Sequence, residues 1–255
     1  MLSLRYRHRV RPRPFPVVDP VDEARRPSHA RESGGFLRSL RETAIIVVSA
    51  LVLSALVRAF LVQAFFVPSA SMEDTLMVGD RIIASKISTQ VAGVTRGEVV
   101  VFQDPGGWLP DPPAPIEGAR TSLRTALTFI GLLPSDTGQE LVKRAIGLSG
   151  DRVVCCNIDG RIVVNGAALD EPYVIGGTDQ VPFDVVVPPD AMFVMGDNRG
   201  NSRDSRYHLE VNNGSVPLAN AVGRVVLVVW PLSQFSTESI PDTFADVPER
   251  PTSGQ

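Results

Sequence analysis

Residues 141–164, LVKRAIGLSGDRVVCCNIDGRIVV, decide the class of the fold. Three short runs rich in Val and Ile, at 141–146, Arg152–Cys155 and 161–164, are separated by Gly, Ser, Asp and Asn. β-Branched residues suit a pleated, half-buried surface, and the residues between them suit turns. Asp159-Gly160 fits a tight hairpin between the second and third runs. The same signature extends both ways: Arg81–Ser85, 98–102, 183–187, 192–195 and 224–230 read as further strands, with Asn165-Gly166 and Pro188-Pro189-Asp190 as turns. From Arg81 onward the chain is expected to be mainly β and antiparallel, a coiled or barrel-like sheet.

Upstream the texture changes. Residues 43–57, TAIIVVSALVLSALV, carry no charge and lie between Glu42 and Arg58. At a helical rise of about 1.5 Å per residue this is short for a ~30 Å hydrocarbon core. Arg41 and Arg58 can snorkel, and the apolar tract resumes at 59–62. A cleaved leader would start near residue 1 and end in small residues, whereas this tract runs into Phe65-Phe66-Val67-Pro68. Residues 42–60 are therefore read as a single transmembrane anchor. Residues 1–42 hold ten arginines, no lysine and five acidic residues. By the positive-inside rule the tail 1–41 is cytoplasmic and everything after Arg58 lies outside. The Arg/Pro-rich tail lacks periodicity and reads as disordered, with the charge to touch anionic membrane lipid. Residues 61–235 then form the extracytoplasmic domain, with a Pro/Gly-rich insertion at 104–140, and 236–255 read as a disordered C-terminal tail. Within the insertion, SLRTALTFIGLL at 122–133 reads as a short helix, suited equally to a membrane surface and to core packing.

Composition removes several kinds of chemistry. A net charge of -3 leaves no footprint for nucleic acid. The two cysteines, Cys155 and Cys156, are adjacent, which excludes a disulfide framework and a multi-cysteine zinc site. They are either two small strand residues or a vicinal disulfide in an oxidising compartment. Of three histidines, His8 and His29 fall in the tail, so His208 alone remains for the exported part. No Gly-x-Ser-x-Gly elbow is present, and no His-rich spacing suggests a metal. Neither metal nor organic cofactor is implied.

A serine–lysine pair remains. Lys86 and Lys143 are the only lysines beside 23 arginines. Arginine stays protonated, whereas a buried lysine can lose its proton and serve as a base. Val142, Ala145 and Ile146 give Lys143 an apolar neighbourhood, and a strand would point Lys143 inward and Arg144 away.

Four motifs in order give that pair its meaning. They are Ser69-Ala70-Ser71-Met72-x-x-Thr75-Leu76 with Gly79-Asp80; Arg96-Gly97-Glu98-Val99-Val100-Val101-Phe102; Lys143-Arg144-Ala145-Ile146-Gly147-Leu148-x-Gly150-Asp151; and Gly196-Asp197-Asn198-Arg199-x-x-Ser202-x-Asp204-Ser205-Arg206. This series resembles the conserved boxes of bacterial type I signal peptidases, of the actinobacterial kind, over roughly residues 57–231. The resemblance implies a coiled β-sheet or barrel domain behind one N-terminal transmembrane helix. It implies a serine endopeptidase that removes signal peptides from exported preproteins after Ala-x-Ala. By similarity Ser71 is the nucleophile and Lys143 its general base. Ser202 orients Lys143, and Ser69 helps hold the oxyanion. Asp204 with Arg206, and Asp197 with Arg144, are structural ion pairs. Phe65, Val67 and Val142 line the substrate pocket. Its partners are signal peptides and the lipid of the cytoplasmic membrane. The family pattern Met-x-Pro-Thr-Leu is here Met72-Glu73-Asp74-Thr75-Leu76.

Two other readings compete. One is a peptidase of the same type devoted to a single exported substrate, such as a pilin or conjugation protein. The other is a tethered β-domain that binds peptides without cutting, which the presence of both Ser71 and Lys143 disfavours. A self-cleaving regulator with the same dyad would carry a DNA-binding domain, and the tail shows no helix-turn-helix pattern.

Overall fold

The structure, a computed structural model, describes residues 34–110, 139–175 and 181–249. The expectations for the tail 1–33, the helix at 122–133 and the last six residues lie outside those segments. Two units divide the chain, one ending at Ile46 and one running from Val47.

Helix α1 spans Gly34–Phe60, starting earlier than residue 42 but ending where expected. Its segment Arg38–Val57 has a mean hydropathy of 2.0 over twenty residues and is long and apolar enough to cross a membrane. None of that stretch is buried by protein, so its Ile, Val and Leu side chains are left for a non-aqueous environment.

The strands are β1 Val62–Phe66, β2 Arg81–Ser85, β3 Val99–Gln103, β4 Glu140–Leu148, β5 Arg152–Cys155, β6 Val163–Val164, β7 Ala167–Ala168, β8 Phe183–Val186, β9 Ala191–Met195, β10 Val216–Pro217, β11 Ala221–Trp230 and β12 Ser236–Thr237. The protein is mainly β, as expected. An eight-stranded sheet runs β1-β2-β11-β3-β4-β9-β10, with β12 on β11, and a four-stranded sheet runs β7-β6-β5-β8. Every pairing between these strands is antiparallel.

The period of two along a strand sorts side chains onto two faces. In β3, Val99 and Val101 join a cluster with Phe65, Val67, Met72 and Ile82, while Val100 and Phe102 join one with Trp108, Met192 and Val194. In β9, Met192 and Val194 belong to the latter, and Phe193 and Met195 to a third cluster with Ile146, Val153 and Phe183. Both strands are buried on both faces, which explains their unbroken apolar runs.

Two expectations change, the site of the tight hairpin and the C-terminal tail, and one open alternative, at the cysteines, is resolved. The tight hairpin falls at Asn165-Gly166 rather than Asp159-Gly160. It joins β6 to β7 through Val164↔Ala167, and its two residues have φ of 52° and 88°, the left-handed pair that such a turn needs. The connection from β5 to β6 is longer and is organised by Asn157, whose Oδ1 accepts from the N–H groups of Asp159 and Arg161. Cys155 and Cys156 are bonded to each other as a disulfide. The C-terminal stretch, expected to be a disordered tail from residue 236, is ordered to residue 249. There β12 pairs with β11, and Phe244 and Val247 are buried in the third core cluster. Its apolar residues, Ile240, Phe244 and Val247, stand singly among prolines and acidic or hydroxylated residues, so this strap is invisible until the groove it fills exists.

Candidate active site

Lys143 stands near the start of β4, paired with Val100 of β3 on one side. On the other side the ladder to β9 begins only at Arg144↔Met195. The chain leaves β9 through Gly196-Asp197-Asn198, and a single 3-10 turn, Ala70–Met72, comes in beside Lys143 carrying Ser71. Asn198 ties this turn down. Its backbone N–H donates to the Ser71 carbonyl at 3.1 Å, and its Nδ2 donates to the Ala70 carbonyl at 3.1 Å. Asp74, where the resemblance has proline, adopts φ of 82°, a value closed to a proline ring, so the turn after Ser71 is built differently.

Gly196 passes so close that a Cβ there would overlap Ser202 Oγ and the Ser71 carbonyl oxygen. Gly196→Ala is expected to displace Ser71 and lower kcat by about 100-fold, the usual cost of a misplaced reacting group. Peptide hydrolysis at saturating substrate, with circular dichroism to show a retained fold, checks this.

Lys143 Nζ lies 2.5 Å from Ser71 Oγ and donates to its neighbour's carbonyl, Val142 O, at 3.0 Å. Both reacting side chains are buried, Lys143 3% and Ser71 7% exposed. Burial disfavours the ammonium and lowers the Lys143 pKa from 10.5 to about 8; Asp204 and Asp197 oppose the shift and Arg206 adds to it. Ser69 Oγ lies 3.2 Å from Ser71 Oγ, close enough to share a reacting oxygen.

Ser202 departs from expectation. Its hydroxyl donates to Asp204 Oδ2 at 2.7 Å, and no hydrogen bond joins it to Lys143 among the described residues. A carboxylate is the stronger acceptor, and Asp204 is already fixed by Arg206 Nε at 2.8 Å and by the Gly196 N–H at 2.9 Å. The Asp204–Arg206 pair is fully enclosed. The second pair also forms, with Arg144 Nη2 at 2.6 Å from Asp197 Oδ2. Arg144 does not point into solvent. It reaches the Gly97 carbonyl at 2.7 Å and Glu238 at 3.2 Å, and its guanidinium lies 4.2 Å above the Tyr173 ring. Thr75 Oγ1 donates to Asp197 at 2.6 Å, which binds the serine segment to the same network.

A cavity of about 540 Å³ opens on the dyad, lined by Ser69, Ser71, Leu141, Lys143, Ser202 and the stretch Trp108-Leu109-Pro110 among others. Phe65, Val67 and Val142, expected to line a pocket, do not line this one. Phe65 and Val67 are core residues at 3% and 2% exposure, and Val142 packs against them. Sequence reasoning passed over Asn198 and Trp108. Asn198 had a signal, since it sits inside a recognised motif; Trp108 had only the Asp-Pro-Gly-Gly turn before it.

A buried amine poised on a serine hydroxyl, with a second hydroxyl beside it, can perform acyl transfer without metal or imidazole. The comparisons with known proteins point to a peptidase. The model of the family "Signal peptidase, peptidase S26" matches residues 40–230. The signal peptidase I of Mycobacterium tuberculosis H37Rv is 36% identical over 222 residues, covering 77% of this chain and 74% of that protein. The signal peptidase I of Leptolyngbya laminosa is 33% identical, covering 69% and 73%. A crystal structure of a signal peptidase I from Enterococcus faecalis overlaps 51% of this chain and 95% of that one, at 24% identity and a TM-score of 0.34. The chain therefore belongs to the signal peptidase S26 family and is a serine endopeptidase.

Proposed function

We propose that this chain is a membrane-tethered signal peptidase that cuts exported preproteins after Ala-x-Ala, with Ser71 as nucleophile and Lys143 as general base. The observation that carries the reading is the 2.5 Å approach of buried Lys143 Nζ to Ser71 Oγ. Neutral Lys143 accepts the Ser71 proton as Oγ bonds to the scissile carbonyl carbon. Ser69 stabilises the oxyanion. Collapse breaks the C–N bond and hands the proton to the leaving amine, which is the N-terminus of the mature protein. Water, deprotonated by the same lysine, then attacks the ester carbon; the bond to Ser71 Oγ breaks, the lysine returns the proton to Oγ, and the signal peptide leaves with a free carboxylate. Asp204 and Arg206 keep Ser202 and Gly196 in place behind the lysine. The small residues before the cut are placed on the Val142 side of β4, where half-buried Val142 stands in front of the enclosed Phe65 and Val67. α1 tethers the enzyme to the cytoplasmic membrane, with the arginine-rich N-terminus inside and residues 61–235 outside.

The test is hydrolysis of a synthetic Ala-x-Ala peptide by detergent-solubilised full-length protein across a pH series. Below the Lys143 pKa the base is occupied by a proton, so kcat/KM is expected to fall about tenfold per pH unit below about 8 and to level off above it. Cleavage should occur after the second alanine and survive chelators. An acidic limb near pH 4–6 would point to a carboxylate base instead and sink the proposal.

A further inference from the structure

The cavity beside the dyad has an aromatic wall for which hydrolysis itself has no use. Asp104 folds it: Oδ1 accepts from the N–H groups of Gly106 at 2.9 Å and Trp108 at 3.2 Å, and Oδ2 from that of Leu109 at 3.0 Å. The Trp108 ring is edge-on to Phe102 at 5.9 Å and stacked on His208 at 4.4 Å, with planes 9° apart. Burial, and then the charge of Arg203, lowers the His208 pKa against the opposing pull of Asp204 and Asp104. Leu109, Pro110, Leu141 and the exposed Tyr207 continue the lining. Asn201, Ser202 and Arg203 also line the cavity, so its apolar part is this one wall, held from behind by Phe102 and His208 and suited to a side chain larger than alanine.

β4 decides which part of a substrate meets it. Leu141 and Lys143 share one face of that strand, and Val142 and Arg144 share the other. Val142 packs with Phe65 and Val67, and Leu141 with Trp108. A peptide with its scissile carbonyl at Ser71 and its small residues on the Val142 side has the residues after the cut left for the Leu141 side. We infer that this cavity is a subsite for an apolar side chain in the first two residues after the cut, with Trp108 as its specificity-determining residue. The inference rests on the dyad reading given above.

The experiment uses full-length solubilised protein and Ala-x-Ala peptides that differ only in the first or second residue after the cut, as Gly, Leu, Phe or Asp. Wild type is expected to prefer Leu or Phe over Gly by about tenfold in kcat/KM, the scale of an apolar pocket. Trp108→Ala should collapse that ratio to within about twofold. Trp108 is packed in the core, so Leu109→Asp, on the half-buried lip, supplies a second test and should lower the same ratio. A Ser71→Ala, Trp230→Phe protein retains Trp108 as its only tryptophan. Its emission should change on titration with the Leu peptide and not with the Gly peptide. Equal rates for all four peptides in wild type, or a Trp108→Ala protein that keeps the wild-type ratio, overturn the inference while leaving the protease intact. If no peptide is cut, the dyad reading fails, and the fluorescence titration alone decides whether the cavity takes an apolar side chain.

Discussion

Lys143→Met is expected to abolish peptide cleavage, lowering kcat by about 10⁴-fold or more, the scale seen when a nucleophile loses its base. Lys143→Arg should be equally inactive, because a guanidinium does not give up its proton at any working pH. Ser71→Ala should match both. The double variant should be no worse than either single one, since two groups that act as a unit do not add. Rates come from chromatographic separation of the cut peptide. A melting curve distinguishes an inactive enzyme from an unfolded one. Between pH about 8 and 10.5 the unfolded chain binds a proton at Lys143 that the native chain lacks, so stability from this group rises with pH across that window. Below about 8 both states bind it and the native state bears the full cost of a buried charge. Lys143→Met removes that cost, so its melting temperature at pH 7 should be no lower than wild type. Cleavage by Lys143→Arg at a wild-type rate would exclude lysine as the base.

Asp204→Ala is expected to damage the fold as well as the site. Asp204 and Arg206 are both fully enclosed, and the same carboxylate also accepts from the Gly196 N–H and the Ser202 hydroxyl. Removing it strands a guanidinium whose Nη1 already has no partner among the described residues. Breaking one side of a buried pair costs about 3–5 kcal/mol. In a domain of this size that corresponds to a fall of roughly 10 °C in melting temperature. Asp204→Asn keeps the shape and loses the charge, so it should fall between the two. Thermal unfolding of the three proteins measures the order. An Asp204→Ala protein that melts with wild type would mean that the pair is not enclosed in solution.

Most of the architecture was legible because its signals are local. α1 contains a charge-free run, residues 43–57, between arginine-bearing flanks, and β2 and β5 fall at their expected limits, each a short β-branched run between turn residues. β1, β7, β10 and β12 were missed for the complementary reason. β1 continues the apolar composition of the helix before it, and the other three are two residues long and exist only through their partners. Of the candidate site, the motifs singled out Ser71 and Lys143, which the fold brings to 2.5 Å, and both ion pairs, which form. The Ser202 contact differs from expectation, because its hydroxyl donates to the Asp204 carboxylate, which the folded loop sets beside it.

The sequence by itself determined the β class, the apolar helix, and the residue types that allow acyl transfer without histidine or metal. Those follow from periodicity and from side-chain chemistry, which each residue carries wherever it sits. Only the tertiary structure decided that Arg144 is buried beside Lys143, that Asn198 holds the serine turn, that the C-terminal strap belongs to the core, and that Trp108 walls the cavity on the dyad. Each of these joins segments tens of residues apart. Burial and the charges that arrive with it, not the identity of the lysine, move its proton into a useful range.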